Sequence, residues 1–403
     1  MAEAALATPP RTWLARNRFL LVFALLASLM GTSVGVAKIV SSLYAIELGA
    51  TAGQLGLIAG GQLVGTLAMS IPVGFLVEHY GPARLFVLGS ALAGLTYALV
   101  PAVQSVGFLL GCITAVSFFM PLRFVSLNAV FFEQVRHLGE GKAGWYRGTH
   151  MSGMFLIGPA VAVGLVGALG YAGTWWVLAA SFALTIALSP IVFGRYGTLP
   201  SSGTARPGPR EMLRDLRLLW RDDALRQTCV ADFWASAATL YQSTFIVAIA
   251  LQTLRLDAAH ASGYVTATGL AYILTLFFAG TAVRRAGLRA GYVAGFVLVV
   301  GAMLLQGGAR TPAGLWPGVL LHGLGMGVLQ TVTLVRVARA GARLGQGRVS
   351  GVNLLAMPIG ALAGGTLGGL LGGVIGLQNM FYVFVPVFAA MAWWLGRRPV
   401  ADT

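Results

Sequence analysis

Residues 74–84 read Gly74-Phe-Leu-Val-Glu78-His79-Tyr-Gly81-Pro-Ala-Arg84 and separate two long apolar runs. Glycine permits a tight turn and a close backbone approach. The stretch therefore reads as a short loop between two helices, with Glu78 and Arg84 placed where the chain leaves an apolar phase. A second stretch, Gly280-Thr-Ala-Val-Arg284-Arg285-Ala-Gly287-Leu-Arg289, keeps the pattern Gly-x3-charged-basic-x-Gly with an arginine shortly after, 206 residues further on. That offset is about half of the 403-residue chain. The loop is the first sign that the protein was built twice.

The repeat has independent support. Leu138-Gly139-Glu140-Gly141-Lys142 and Leu344-Gly345-Gln346-Gly347-Arg348 stand at the same offset, 206. So do Thr51-x-x-Gln54 and Asp257-x-x-His260, each at a point where a helix starts and wants an N-cap. Three matches in one register imply two parallel halves.

Hydrophobic residues make up 57% of the chain and charged residues 10%, against about 25% charged in a soluble domain. Such a chain lacks the charge to cover its surface in water and reads as an integral membrane protein. A spanning helix takes about 20 apolar residues, so at roughly 33 residues per helix and loop the length accommodates about twelve spans. The apolar runs are continuous rather than alternating, which selects helices over barrel strands. The first run, 19–46, is too long for the core of a signal peptide and reads as the first span.

The predicted spans are 18–46, 53–78, 84–102, 105–132, 146–170 and 173–194, then 224–254, 259–283, 289–308, 312–338, 348–374 and 377–396. The fold class expected is an all-α membrane protein whose twelve transmembrane helices form two pseudo-symmetric six-helix bundles, 18–194 and 224–396. Residues 1–17 and 397–403 are short tails. Residues 195–223 are the one long polar stretch, a linker rich in Pro, Ser and Gly that becomes charged and helix-like from Glu211 to Arg221.

The net charge of +15 is distributed by topology. Of the 27 Lys and Arg, Arg255 and Arg310 fall on one side and Lys38 and Arg123 fall inside spans; the other 23 fall in the tails and alternate loops. This positive-inside bias places both termini and the motif loops in the cytoplasm. It accounts for the basic charge without nucleic acid. Cys112 and Cys229 both lie in spans and read as small buried hydrophobes, with no disulfide or metal site. No phosphate-binding loop, zinc-binding helix or nucleophile elbow occurs, so neither an enzyme, a cofactor nor ATP is expected.

The loop pattern Gly-x-Leu-x-acidic-basic-x-Gly-x-x-Arg, the two halves and the central linker together resemble the major facilitator superfamily. This sequence carries Glu78 where the family usually has Asp, His79 where it has Arg or Lys, and Arg284 at the acidic position of the second copy. Gly153-x4-Gly158-Pro159-x4-Gly164 is similar to the Gly-Pro motif of the family's drug and metabolite exporters, and fits a small-residue packing face equally well. The exporters' fourth-span Arg-Gln-Gly is not clearly present around Gly111-Cys112-Ile113. The resemblance implies a monomeric secondary transporter in a bacterial inner membrane. It would work by alternating access, exporting a small organic compound in exchange for protons. Uptake of an organic anion is the alternative within the class, and a non-transporting receptor or scaffold the alternative outside it. The motif loops are then a gate, with Gly74, Glu78, Gly81, Arg84 and Glu133 in the first half and Gly280, Gly287 and Arg289 in the second.

Charge near the centre of a spanning helix costs about 2.5–3.5 kcal/mol, so polar residues within spans are the candidate site. Lys38 shares a face with Gly31, Gly35 and Ser42, and Arg123 follows Pro121 and precedes Ser126. Two cations with few carboxylates fit an anionic or zwitterionic substrate, or else bonds to helix carbonyls. Gln62 with Thr66, Thr268 with Tyr272 and Thr275, and His322 with Met326, Gln330 and Thr333 form stripes at helical spacing. The longest stripe runs from Asp232 through Ser236 and Thr239 to Ser243, beside Gln242. Each stripe fits a cavity wall or a hydrogen-bonded helix seam. For proton coupling the candidates are Asp232, the only carboxylate clearly inside a span, and the histidines His322 and His150.

Overall fold

The computed structural model describes residues 18–50, 52–138, 143–196, 209–252, 254–256 and 258–397. The predicted tails and the repeat at Gly139–Lys142 lie outside them, as do the predicted caps Thr51 and Asp257. All regular structure among the described residues is helical.

The first half comprises α1 (Arg18–Glu47), α2 (Ala52–Tyr80), α3 (Pro82–Leu99) and α4 (Val106–Leu138). α5 begins with Ala143–Ser152, passes through a π-helical turn at Gly153–Ile157 and continues to 169; α6 takes the chain from 171 to 196. Gly170, with φ +65° and ψ −176°, breaks what would otherwise be one helix. A short helix, α7 (Pro209–Arg221), follows. The second half comprises α8 (Asp223–Gln252), α9 (Ala258–Ala286), α10 (Leu288–Gly308), α11 (Pro312–Leu344), α12 (Gln346–Ile375) and α13 (Met380–Arg397). Among the described residues, eleven helical runs are long and apolar enough to cross a membrane, and the longest, Gly144–Gly194, is the one broken at Gly170. Twelve crossings result.

The repeat reappears in three dimensions. α2 and α9 begin and end 206 residues apart, as do α4 and α11. Between α2 and α3 stands Gly81 at φ +84°, and between α9 and α10 stands Gly287 at φ +87°. A side chain is strained at such a φ, which is why both copies of the loop keep glycine there.

Small residues bring the helices together. Gly360 and Gly364 of α12 lie on the backbone carbonyls of Phe233 and Ala237 in α8, leaving no room for a methyl group. In the first half, Gly31 and Gly35 of α1 meet Gly153, Met154 and Gly158 of α5 in the same way. The Gly153–Pro159 stretch is thus a packing face against α1. Helix ends are capped by side chains: Asp222 Oδ1 accepts from Leu225 N–H at 2.9 Å to open α8, and Thr311 accepts from Gly314 N–H to open α11.

Candidate functional site

The end of the bundle that carries α7 and the motif loops, here the linker end, is where named contacts join the two halves. The end of α2 crosses the start of α12, with Gly74 against Gly347 and Gly351 against the Ser70 carbonyl. The pseudo-symmetric crossing sets Gly144 of α5 on the Leu276 carbonyl of α9, Gly148 on Phe277, and Trp145 edge-on to Phe277.

Glu78 ties the first crossing. Its Oε2 pairs with Arg348 Nε at 2.6 Å, and its Oε1 accepts the Arg348 backbone N–H at 3.0 Å. Arg348 N–H belongs to the first turn of α12, whose amides carry partial positive charge and have no helical acceptor. The carboxylate therefore answers a guanidinium and a helix N-terminus together. Gly345, at φ +101°, lies directly beneath, where any Cβ would overlap the carboxylate. Glu133 of α4 adds a weaker tie, accepting from Gln346 Nε2 at 3.4 Å.

Arg84 was expected in this gate. It is exposed, with no ion pair among the described residues, because Glu78 turns across the halves to Arg348 instead. His79 is packed against Tyr80, its Nδ1 buried without a partner. In the second copy Gly280 is buried and Gly287 keeps the turn, while Arg284 and Arg289 are exposed. That crossing is apolar.

Further into the seam lies a polar network centred on Asp232, only 4% exposed. Thr333 of α11 donates to Asp232 Oδ1 at 2.9 Å, and Asn353 Nδ2 of α12 donates to Oδ2 at 2.7 Å. Tyr292 of α10 lies 3.2 Å from the Thr333 hydroxyl; with that proton committed to Asp232, the Tyr292 O–H is the donor. Arg336 lies over the Tyr292 ring, 5.4 Å from its centroid, and donates to Gln227 Oε1 at 2.9 Å. From the opposite half, Arg147 of α5 reaches this region. It approaches Met357 Sδ of α12 at 3.3 Å, one helical turn from the Asn353 that holds Asp232. One seam thus places a carboxylate from one half near a guanidinium from the other.

The other predicted residues separate into wall and core. Lys38 is exposed on α1, and its ammonium makes no hydrogen bond or ion pair among the described residues. Gln62 and Thr66 are half-buried on α2, and Gln330 is half-buried on α11. Thr239 is exposed and bonds its own helix at Ala235. Gln242 is buried and donates to Thr268 at 3.0 Å, so that part of the stripes is a seam between α8 and α9. Ser126 is fully buried with its hydroxyl unpaired, and His322 is fully buried with both ring nitrogens unpaired.

Two expectations meet a different environment. Arg123 is 0% exposed inside the first bundle, 4.0 Å from the Phe182 ring centroid and 5.6 Å from that of Phe86, donating to Thr185 at 3.2 Å. Aromatic faces and a hydroxyl hold the cation there, within the first bundle. Arg123→Ala should lower stability by about 2 kcal/mol, the scale of a desolvated cation–π contact. Solute affinity should change less than about twofold, because no contact with the seam is lost. Thermal unfolding and equilibrium binding on one preparation check both. His150 lies between α5 and α1, with Nδ1 3.3 Å from the Ala27 carbonyl oxygen and its ring edge-on to Phe124. It packs a helix joint.

The residues missed in the sequence are Arg147, Arg336, Asn353 and Met357. Arg147 and Arg336 were counted with the topological charge of loops and tails, whereas both lie inside helices. Arg336 was legible as a cation within the span 312–338, and is 4% exposed. Asn353 and Met357 carried no separate signal.

Two pseudo-symmetric six-helix bundles with a charged seam define a multi-pass membrane protein of the carrier architecture. The sequence family described as Major Facilitator Superfamily matches residues 20–260, and the chain belongs to that family of transporters. Among curated proteins, the multidrug efflux pump Tap of Mycobacterium tuberculosis and that of Mycobacterium bovis are each 24% identical over 239 residues. That alignment covers 55% of this chain and 55% of each pump, so the chain spans about half the length of the curated relatives it matches. Among solved structures, the transporter FucP in its outward conformation superposes with a TM-score of 0.73 at 16% identity, over 94% of this chain and all of that one. The human organic anion transporter MFSD10 superposes with a TM-score of 0.76 at 16% identity, over 96% and 100%.

Proposed function

We propose that the chain exports a small anionic or zwitterionic organic solute in exchange for protons, by alternating access across a bacterial inner membrane. Its termini and linker end face the cytoplasm, as the basic tails and loops indicate. The named contacts between halves at the linker end then make this an outward-open state.

The observation that carries the reading is that Arg147 of one half and Asp232 of the other meet adjacent turns of α12, Arg147 at Met357 Sδ and Asp232 at Asn353. Ionised, Asp232 attracts the guanidinium of the other half and favours closure of the linker end. Protonated, it loses that attraction and the linker end opens. A proton taken from outside is then carried in and released in the cytoplasm, and the ionised form returns outward with solute. That order gives exchange, and the named activity of the mycobacterial relatives supports export as its direction. Lys38 supplies positive charge for the solute, and Gln62, Tyr272 and Gln330 supply polar contacts. His322 is a second group with proton capacity. Fold likeness to a fucose:proton symporter keeps proton-coupled uptake as the other reading.

Everted vesicles with an acid lumen should accumulate the solute and release it when the pH gradient is collapsed. Accumulation only by right-side-out vesicles in an acid medium would assign uptake. Indifference to the gradient would remove proton coupling.

A further inference from the structure

α7 joins the halves and carries Arg214, Arg217 and Arg221 with Leu216, Leu218, Leu219 and Trp220 on one short helix. Leu219 is buried, whereas Leu218 and Trp220 stand 54% and 48% exposed. A basic helix that leaves leucine and tryptophan bare is built to lie in a membrane interface. Beneath it opens a cavity of about 800 Å³, within the size range of small-molecule sites. Ile71 of α2, Phe233 and Trp234 of α8, and Val352 and Leu355 of α12 form its floor. Leu216, Arg217, Trp220 and Arg221 form the rim on the α7 side. Arg217 and Arg221 are one helical turn apart, exposed, and make no ion pair among the described residues.

We infer that this groove binds an anionic glycerophospholipid, with an acyl chain on the apolar floor and the phosphate on Arg217 and Arg221. Three features select this occupant. The floor consists of membrane-spanning helices and has no charged side chain, so it suits hydrocarbon. The rim sits on an interfacial helix, at headgroup depth. Its two guanidiniums, without an ion pair among the described residues, complement phosphate, for which arginine is the preferred partner. The floor also touches the gate, because Ile71 follows Ser70 and Val352 follows Gly351, the pair on which α2 and α12 cross. A chain lying there packs against that crossing and favours the state closed at the linker end.

The test is native mass spectrometry of the full chain titrated with dioleoyl-phosphatidylglycerol or dioleoyl-phosphatidylcholine. Phosphatidylglycerol should be retained about thirtyfold more tightly, from two basic contacts, and R217Q/R221Q should erase the preference without changing lipid-free thermal stability. Phosphatidylglycerol brominated in its chains should quench Trp220 and Trp234 fluorescence, a signal absent from W220F/W234F. Equal retention of the two lipids, an undiminished preference in R217Q/R221Q, or quenching unchanged in W220F/W234F would each overturn the site. Protection by inorganic phosphate alone, or a second copy of the chain displacing lipid, would also overturn it.

Discussion

Asp232→Asn should reduce gradient-driven transport to background while leaving solute exchange between equal solutions within about tenfold of the parent chain. Asparagine has the shape of aspartate and still accepts from Thr333. If the Asn353 amide flips, its oxygen accepts from the new amide and no buried donor is stranded. What disappears is the charge that answers Arg147 and the proton site. Coupling between two sites is typically worth about 1–3 kcal/mol, or 5–150-fold in population. The variant should therefore rest with the linker end open by a factor in that range and ignore pH. Arg147→Gln removes the same attraction from the other half but keeps the proton site, so its linker end should also rest open whatever the pH, while the carboxylate still takes up a proton. Proton uptake by the purified variants separates the two.

Glu78→Gln is the second large effect. The pair with Arg348 is partly exposed, so by itself it contributes below about 1 kcal/mol. The same carboxylate also holds the first turn of α12, and a charge-assisted hydrogen bond adds about 1.5 kcal/mol or more. Losing both shifts the linker end towards open about five- to thirtyfold, with solute binding retained and transport slowed. Gly345→Ala should do the same without altering any charge, because it places Cβ in the carboxylate's position at a φ that alanine resists. Swapping the charges, E78R/R348E, restores the ion pair but sets a cation at a helix N-terminus, so rescue should be partial. Full rescue would mean that the helix contact contributes nothing. Cysteine accessibility at the linker end reads the population directly.

Twelve helices in two copies were legible because membrane spans announce themselves by hydropathy and the turns by glycine. Gly81 and Gly287 sit at positive φ, and the break at Gly170 falls on the last residue of the predicted fifth span. The site was less legible, for a physical reason. A hydropathy window treats a cation near a helix end as loop charge, so Arg147 was lost where α5 begins. It treats a cation in mid-span as a cavity residue, so Arg123 was assigned a solute although aromatic rings from α3 and α6 surround it. Sequence proximity suggested Arg84 for the gate. The partner of Glu78 is Arg348, 270 residues away, and only the crossing of α2 over α12 brings them together.

The central claim is that protonation of Asp232 opens the linker end. Ala83 of α3 and Ala290 of α10 are exposed at that end, one on each half, and accept spin labels as A83C/A290C; Cys112 and Cys229 are buried. Electron–electron resonance distances in nanodiscs should show a short population at alkaline pH and a growing long population on acidification. With Asp232→Asn added, the long population should dominate at every pH. A distribution that does not move with pH in the parent chain, or that still moves with pH in the Asp232→Asn background, would contradict the claim.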